Sequence, residues 1–289
     1  MRKQILIFTI LYLFSAITIN AQQRPLLTED VDTTPAGSIE IAAGVDFFQN
    51  DKFPLSGLTG DLTRVGNIRL SVGVNSNIEI QYEGTIRNFL AINSATDPAP
   101  IPLNVVGNST SDVGDITVAT KVRIRNETRN IPAIAFQSGF QIPNTDQARG
   151  IGTNQINLFT KLIVQKTFAA SQNKLPRAKV FGNLGLGIQT APLERFTQND
   201  VLLYGLAGIY SINDRINLVA DVNGQVSTRS GDAPLGTESK GQFRIGTQIK
   251  ASGLRFDTAA ILGLTKYSPK SGITFGVTYQ SPSIFTPVQ

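Results

Sequence analysis

Residues 215–227 read RINLVADVNGQVS: Ile216, Leu218, Ala220, Val222 and Val226 are apolar or small, Asn217, Asp221, Asn223, Gln225 and Ser227 are polar, and Val219 breaks the pattern. Successive side chains of a strand point to opposite faces, so this stretch is a strand with one greasy and one wet face. Twelve segments obey the rule, over 38–48, 62–74, 78–91, 113–125, 131–142, 154–168, 178–190, 200–212, 215–228, 239–250, 254–265 and 272–280. Most exceed the ~5–6 residues of an average soluble strand and match the ~9–11 tilted residues that cross a bilayer.

The gaps alternate between long and short. QNDKFPLSGLTGD, NSATDPAPIPLNVVGNSTSD, PNTDQARGIGT, APLERFTQN, SGDAPLGTE and YSPKS stand at odd places. NSN, NETRN, ND and ASG stand at even ones, with AASQNKLPR the exception. An up-and-down antiparallel barrel has this grammar when its two rims differ, with both termini on the short-turn rim and the long loops outside. In the third segment Ile78, Ile80, Tyr82, Gly84 and Ile86 share one parity, and Glu79, Gln81, Glu83 and Arg87 the other. A Lys or Arg facing lipid at mid-depth costs ~2–4 kcal/mol, so the charge-free parity is the one expected to meet lipid. Lys166 breaks the rule near a strand end, and Phe47, Phe168, Tyr210 and Tyr279 sit near strand ends as an aromatic belt would. A secreted β-sandwich also alternates, but long strands and only 16% charged residues favour the barrel. In hydrocarbon an open sheet edge leaves each unmet backbone group costing several kcal/mol, so the strands must close. Twelve strands leave a lumen narrower than the broad channel of 16–18-stranded barrels, hence a selective or plugged one.

The chain contains no histidine and no cysteine, which removes Ser-His-Asp and Cys-His sites, imidazole and thiolate metal ligands, and disulfides. A Ser-Lys or Asp-based hydrolase stays open on the residues alone. GIGTNQ at 150–155 lacks the third glycine and the strand-to-helix setting of a nucleotide loop. We therefore expect no catalytic residue, no cofactor and no metal. Arg2 and Lys3 before ILIFTILYLFSAI form an export signal, residues 1–21, with cleavage expected near Ala21. Without those two residues, 24 basic side chains face 21 acidic ones, and no basic stripe marks a nucleic-acid partner. Residues 22–37, with two prolines and no period, are expected to be an irregular lead-in and a candidate plug. Residues 38–280 are the barrel and 281–289 a tail whose Pro282 and Pro287 resist a ladder. The acidic run TEDVD at 28–32 has the composition of a cation site or of a solvated stretch, and the latter is the expectation.

RPLLTEDVDTTPAGSIEI at 24–41, DVGDITVATKVRI at 112–124 and FQIPNTDQARGIGTNQINLFTKLIV at 140–164 resemble a family of outer-membrane transporters linked to the phenol-degradation meta-cleavage pathway. The resemblance implies a barrel in the outer membrane of a Gram-negative-type bacterium and a role in uptake of hydrophobic or aromatic small molecules, without established site residues to carry over. Unlike many such barrels, this chain continues past Tyr279 with QSPSIFTPVQ.

If the parity assignment holds, Arg69, Glu79, Glu83, Arg87, Lys121, Arg123, Lys161, Asp221, Arg244 and Asp257 line the lumen, either as a charged constriction or as cross-strand ion pairs filling the barrel. VLLYGLAGIY at 201–210 is apolar on both faces, so Leu202, Tyr204 and Leu206, joined by Phe159, Phe181 and Ile163, are candidates for an apolar lumen wall. The expected protein is an all-β, closed, antiparallel transmembrane up-and-down barrel for passive uptake of small apolar or aromatic solutes. Its expected partners are outer-membrane lipid, the solute and the barrel-assembly machinery. The alternative is a structural or surface-interaction barrel with a plugged lumen.

Overall fold

The computed structural model describes residues 25–169, 176–194 and 197–287. The export signal and its cut lie outside these residues. The strands are β1 (Ile39–Phe53), β2 (Leu58–Gly73), β3 (Ile78–Ala95), β4 (Ser109–Asp112), β5 (Ile116–Arg125), β6 (Ala133–Ile142), β7 (Asn157–Ala169), β8 (Pro176–Thr190), β9 (Gln198–Ser211), β10 (Ile216–Ser227), β11 (Lys240–Ala251), β12 (Leu254–Gly263) and β13 (Ser271–Gln280). Each pairs antiparallel with its neighbours, and β1 pairs with both β2 and β13, which closes the sheet. β4 and β5 both pair with β3, Asp112 opposite Asn88 and Thr117 opposite Glu83, so they continue one register and form a single interrupted wall strand. The barrel thus has twelve wall strands, and the closed ladder leaves no edge.

The short turns are built by the residues that interrupt the alternation. Asn75 Oδ1 accepts from the backbone N–H groups of Asn77 and Ile78 at 2.9 Å each, and Asn213 Oδ1 does the same for Arg215 and Ile216. An Asn side chain satisfying its own turn makes these connections tight. Ser252 and Gly253, both at positive φ, make the two-residue hairpin before β12. The first odd gap is tighter than its composition suggests. β1 and β2 run on through the expected loop at 49–61 and turn only at 54–57. The tip folds against another loop, where Ser56 Oγ donates to Gly150 O at 2.8 Å.

The outer surface is apolar, with Ile86, Leu184 and Leu206 each 59–61% exposed. An apolar surface repeated around the whole wall is one that acyl chains, not water, solvate. Inside, Phe48, Leu58, Leu62, Leu90 and Ile261 form an apolar cluster toward the long-loop end, capped by Leu103, Val105 and Ile151 from loops. The tail ends its ladder at Gln280. It then turns back so that Ile284 N donates to Gly37 O at 2.8 Å.

Candidate functional site

The lumen is divided by the N-terminal segment. From Ser38 on the short-turn rim, residues 37–25 run back into the barrel and cross it. Thr33 Oγ1 donates to Ser76 O at the rim, Val31 N donates to Gln165 Oε1 at 3.0 Å, and Glu29 N donates to Asn183 Oδ1 at 2.7 Å. Further in, Leu27 N donates to Asp221 Oδ2 at 2.7 Å, and Arg244 Nη1 donates to Pro25 O at 3.0 Å. The segment has no secondary structure of its own, so wall side chains satisfy its backbone. Two apolar anchors fix it: Val31 packs on Ala133, Ala135 and Ile163, and Leu26 on Phe181, Ala207 and Val219. Gly205 lets the segment approach, since a Cβ there would lie 2.5 Å from Thr28 Oγ1.

Charge completes the docking. Lys121 is 1% exposed, with its Nζ 3.5 Å from Glu29, 3.7 Å from Asp30 and 3.4 Å from Glu79. Arg69 bonds Glu29 and lies 3.2 Å from Glu83, while Lys179 Nζ lies 2.5 Å from Asp32 Oδ2. Buried carboxylates persist only when paired and hydrogen-bonded, and these wall cations supply the pairing. Burial opposes charge on Glu29, but Arg69, then Lys121 and Lys161, outweigh it and hold the carboxyl at about 2. Burial, with Asp32 beside it, pushes Asp30 up to about 7 against the pull of Lys121 and Lys179. The run 28–32 is therefore not solvated: Thr28, Glu29, Asp30 and Val31 are all buried.

Above the segment lies a cavity of about 560 Å³ reaching the long-loop rim, where Thr153 and Gly236 border it, and floored by Leu27. Leu27, Glu83, Thr117, Phe159 and Lys161 also border a smaller chamber of about 90 Å³ beside Glu29, so these residues form the neck between the two. Lys161 Nζ lies 5.1 Å from the centre of the Phe159 ring.

The expected lumen residues divide into groups. Arg69, Glu79, Lys121, Asp221 and Arg244 hold the N-terminal segment directly or through one another, Thr34 N donating to Glu79 and Thr28 to Asp221. Glu83 and Lys161 stand at the neck. Asp257 is buried on the inner face of β12. Arg123 sits at the short-turn rim, bonded to Ser76 O. Arg87 does not line the lumen. It pairs with outward Val65, is exposed, and donates to Ser111 Oγ at 2.7 Å. The parity of β3 flips between Thr85, whose hydroxyl bonds Asn67, and buried Asn88. The flip lies opposite Gly66, which has φ +68°.

Within the expected apolar wall, Phe159 and Phe181 face inward. Leu202 and Leu206 do not: they are 37% and 60% exposed, opposite Val226 and Val222 of the outer face, whereas Tyr204, opposite Gly224, borders the outer cavity with its hydroxyl over Gly224 and Gly241. The inner parity of β9 is Val201, Leu203, Gly205 and Ala207. Both parities are apolar because inner Ala207 packs on Leu26 while Val201 and Leu203 border the outer cavity, so alternation carries no signal there. Glu29, Asn183 and Gln165 lay outside the expected site. The signal available for them was the acidic run 28–32 set against unpaired-looking wall cations.

No protein-family model matches the chain, and no curated protein matches it. Among solved structures, the COG4313 outer membrane channel from Pseudomonas putida F1 matches with TM-score 0.59 and 14% identity, covering 87% of this chain and 98% of that one. The translocator domain of autotransporter NalP from Neisseria meningitidis follows at TM-score 0.46 and 14% identity, covering 84% of this chain and 88% of that one. OmpT of Vibrio cholerae gives TM-score 0.38 at 11% identity, covering 86% and 100%. The fold is that of a closed, twelve-stranded outer-membrane barrel.

Proposed function

We propose that this chain resides in the outer membrane of a Gram-negative-type bacterium and takes up small solutes passively, with residues 25–37 closing the periplasmic half of the lumen. The observation that carries this reading is the cavity of about 560 Å³ facing the long-loop rim, floored by Leu27 rather than by the wall. A solute arriving from outside finds a pocket within the ~300–1,000 Å³ typical of small-molecule sites, and only a docked segment separates it from the periplasm. The segment is bound by hydrogen bonds and ion pairs, which can be exchanged for water, and by two apolar side chains, Leu26 and Val31. The reading also implies cleavage of the export signal near Ala21 and delivery to the assembly machinery for barrels, and it contains no catalytic step.

The link to a phenol-degradation pathway rests on the sequence resemblance alone. Of the residues offered for an apolar wall, Phe159, Phe181 and Ile163 face inward and Tyr204 borders the outer cavity, but Phe181 and Ile163 are occupied by the segment's anchors. A second reading, a surface barrel with a permanently filled lumen, draws on the same docking network. Liposome swelling separates the two. The full mature chain should pass small solutes slowly, and a variant lacking residues 22–36 should pass them far faster. Absence of flux through both would overturn uptake.

A further inference from the structure

The outer cavity is lined in an uneven way. Its arc from β6 to β11 presents seven carboxamides, Gln141, Asn157, Asn183, Gln189, Asn223, Gln225 and Gln242, of which Asn183 is spent on the backbone of Glu29. Their mutual bonds leave capacity over. Gln189 and Gln225 form a reciprocal amide pair at 2.8 and 3.3 Å, and Gln225 also donates to Glu238 O at 2.9 Å. Gln242 Oε1 accepts from Arg244 at 3.1 Å and Asn157 Oδ1 accepts from Thr190 N at 3.2 Å, so both retain their side-chain NH2 donors. Asn223 makes no side-chain hydrogen bond to a described residue. The charges lining the cavity balance, Arg64, Lys161 and Lys240 against Glu83, Asp115 and Glu238.

Those features select by chemistry. A carboxamide offers two donors and an acceptor side by side, the complement of a hydroxyl that both donates and accepts. An apolar solute would displace water from these amides without replacing its hydrogen bonds, and an unmet buried polar group is expensive. An ion of either sign meets as many like as unlike charges. Leu27, Phe159, Val201, Leu203 and Tyr204 give an apolar patch beside the amides, suited to the C–H face of a sugar ring.

We propose that this cavity binds a free, neutral, hydroxyl-rich solute of mono- or disaccharide size. The proposal rests on the uptake reading and names its solute class. The polar arc stands where the sequence alone suggested an apolar wall, because Leu202 and Leu206 point to the other face of β9.

The test is saturation-transfer NMR on the folded barrel in an amine-oxide detergent, which lacks a sugar headgroup. Maltose is the probe, with phenol and purified lipopolysaccharide as competitors. Saturable maltose binding is expected, undisturbed by equimolar phenol. Asn223→Leu and Gln242→Leu should each weaken it about five- to tenfold, the worth of one or two hydrogen bonds. Asn223→Ser, which keeps a small polar group, serves if a leucine variant does not fold, and should weaken binding less. The proposal is overturned if phenol binds more tightly than maltose, if only lipopolysaccharide binds, or if both leucine variants bind maltose like the parent. Binding is read without flux. Intact maltose binding with no swelling would therefore sink uptake and spare the site, and the reverse result would do the opposite.

Discussion

Ile284 holds Gly37 across the short-turn rim: its backbone N–H donates to Gly37 O at 2.8 Å, and Phe285 N donates to the same oxygen at 3.3 Å. Gly37 is where the chain leaves β1 to enter the lumen, and Ser281 N donating to Ile39 O at 2.8 Å ties the tail to the same turn. The tail is thus a strap over the hinge of the N-terminal segment.

The strap can be tested at its tightest point. Gly37 has φ +79°, and a Cβ there would lie 2.4 Å from Phe285 O. Gly37→Ala should cost the left-handed penalty of roughly 1–2 kcal/mol and also push the tail away. Because the chain has no cysteine, Val31→Cys supplies a single, fully buried thiol as reporter. Maleimide labelling of that thiol should accelerate several-fold with Gly37→Ala or with removal of residues 282–289. Unchanged labelling would mean that the tail does not restrain the segment.

Lys121 serves three carboxylates at once, those of Glu29, Asp30 and Glu79. Lys121→Met leaves them buried without their shared cation, a loss on the scale of ~3–5 kcal/mol for breaking a buried pair. Urea unfolding in lipid vesicles should show most of that loss in the full chain. A chain lacking residues 22–36 should show much less, because Glu29 and Asp30 are then absent. Equal losses in both backgrounds would place the role of Lys121 in the wall alone.

Docking should depend on pH with two opposite signs. The docked carboxyl of Asp30 is pushed up to about 7, so its contribution is fully present below its ordinary value near 3.8 and is lost as pH rises through 7. Glu29, held at about 2, contributes fully above its ordinary 4.5, and that contribution fades as pH falls toward 2. Solute flux should therefore rise as pH climbs from about 4 to 7 and level off above it, and Asp30→Asn should flatten that limb while leaving the acid limb in place. Flux equally pH-dependent in the variant would remove Asp30 from the account.

Leu206 separates the outer face from the inner. At mid-strand on the lipid side, Leu206→Arg should cost ~2–4 kcal/mol and lower the folding yield in bilayers. Leu203→Gln, one of the inward neighbours, should fold normally because that position borders the polar-lined outer cavity rather than lipid. Comparable yields for both variants would refute the assignment of faces on β9.

Much of the wall is legible without a structure. A charge in hydrocarbon is costly, so Glu79, Lys121, Asp221 and Arg244 had to share one parity, and that parity is the inner one. The turn residues Asn75 and Asn213 mark the short rim for the same kind of local reason. Strand number, closure and the sidedness of the loops depend only on such local rules repeated twelve times.

What tertiary structure decided are the places where two distant stretches meet. Glu29 reads as a solvated acid until Arg69 and Lys121 enclose it, and Arg87 reads as lumenal until the irregularity opposite Gly66 shifts the parity of β3. On β9 an inner apolar residue facing Leu26, Ala207, is indistinguishable by residue type from an apolar outer residue facing lipid. Alternation reports only whether a position tolerates water. It cannot report which of two dry surroundings, acyl chains or the protein's own N-terminus, has taken the water's place.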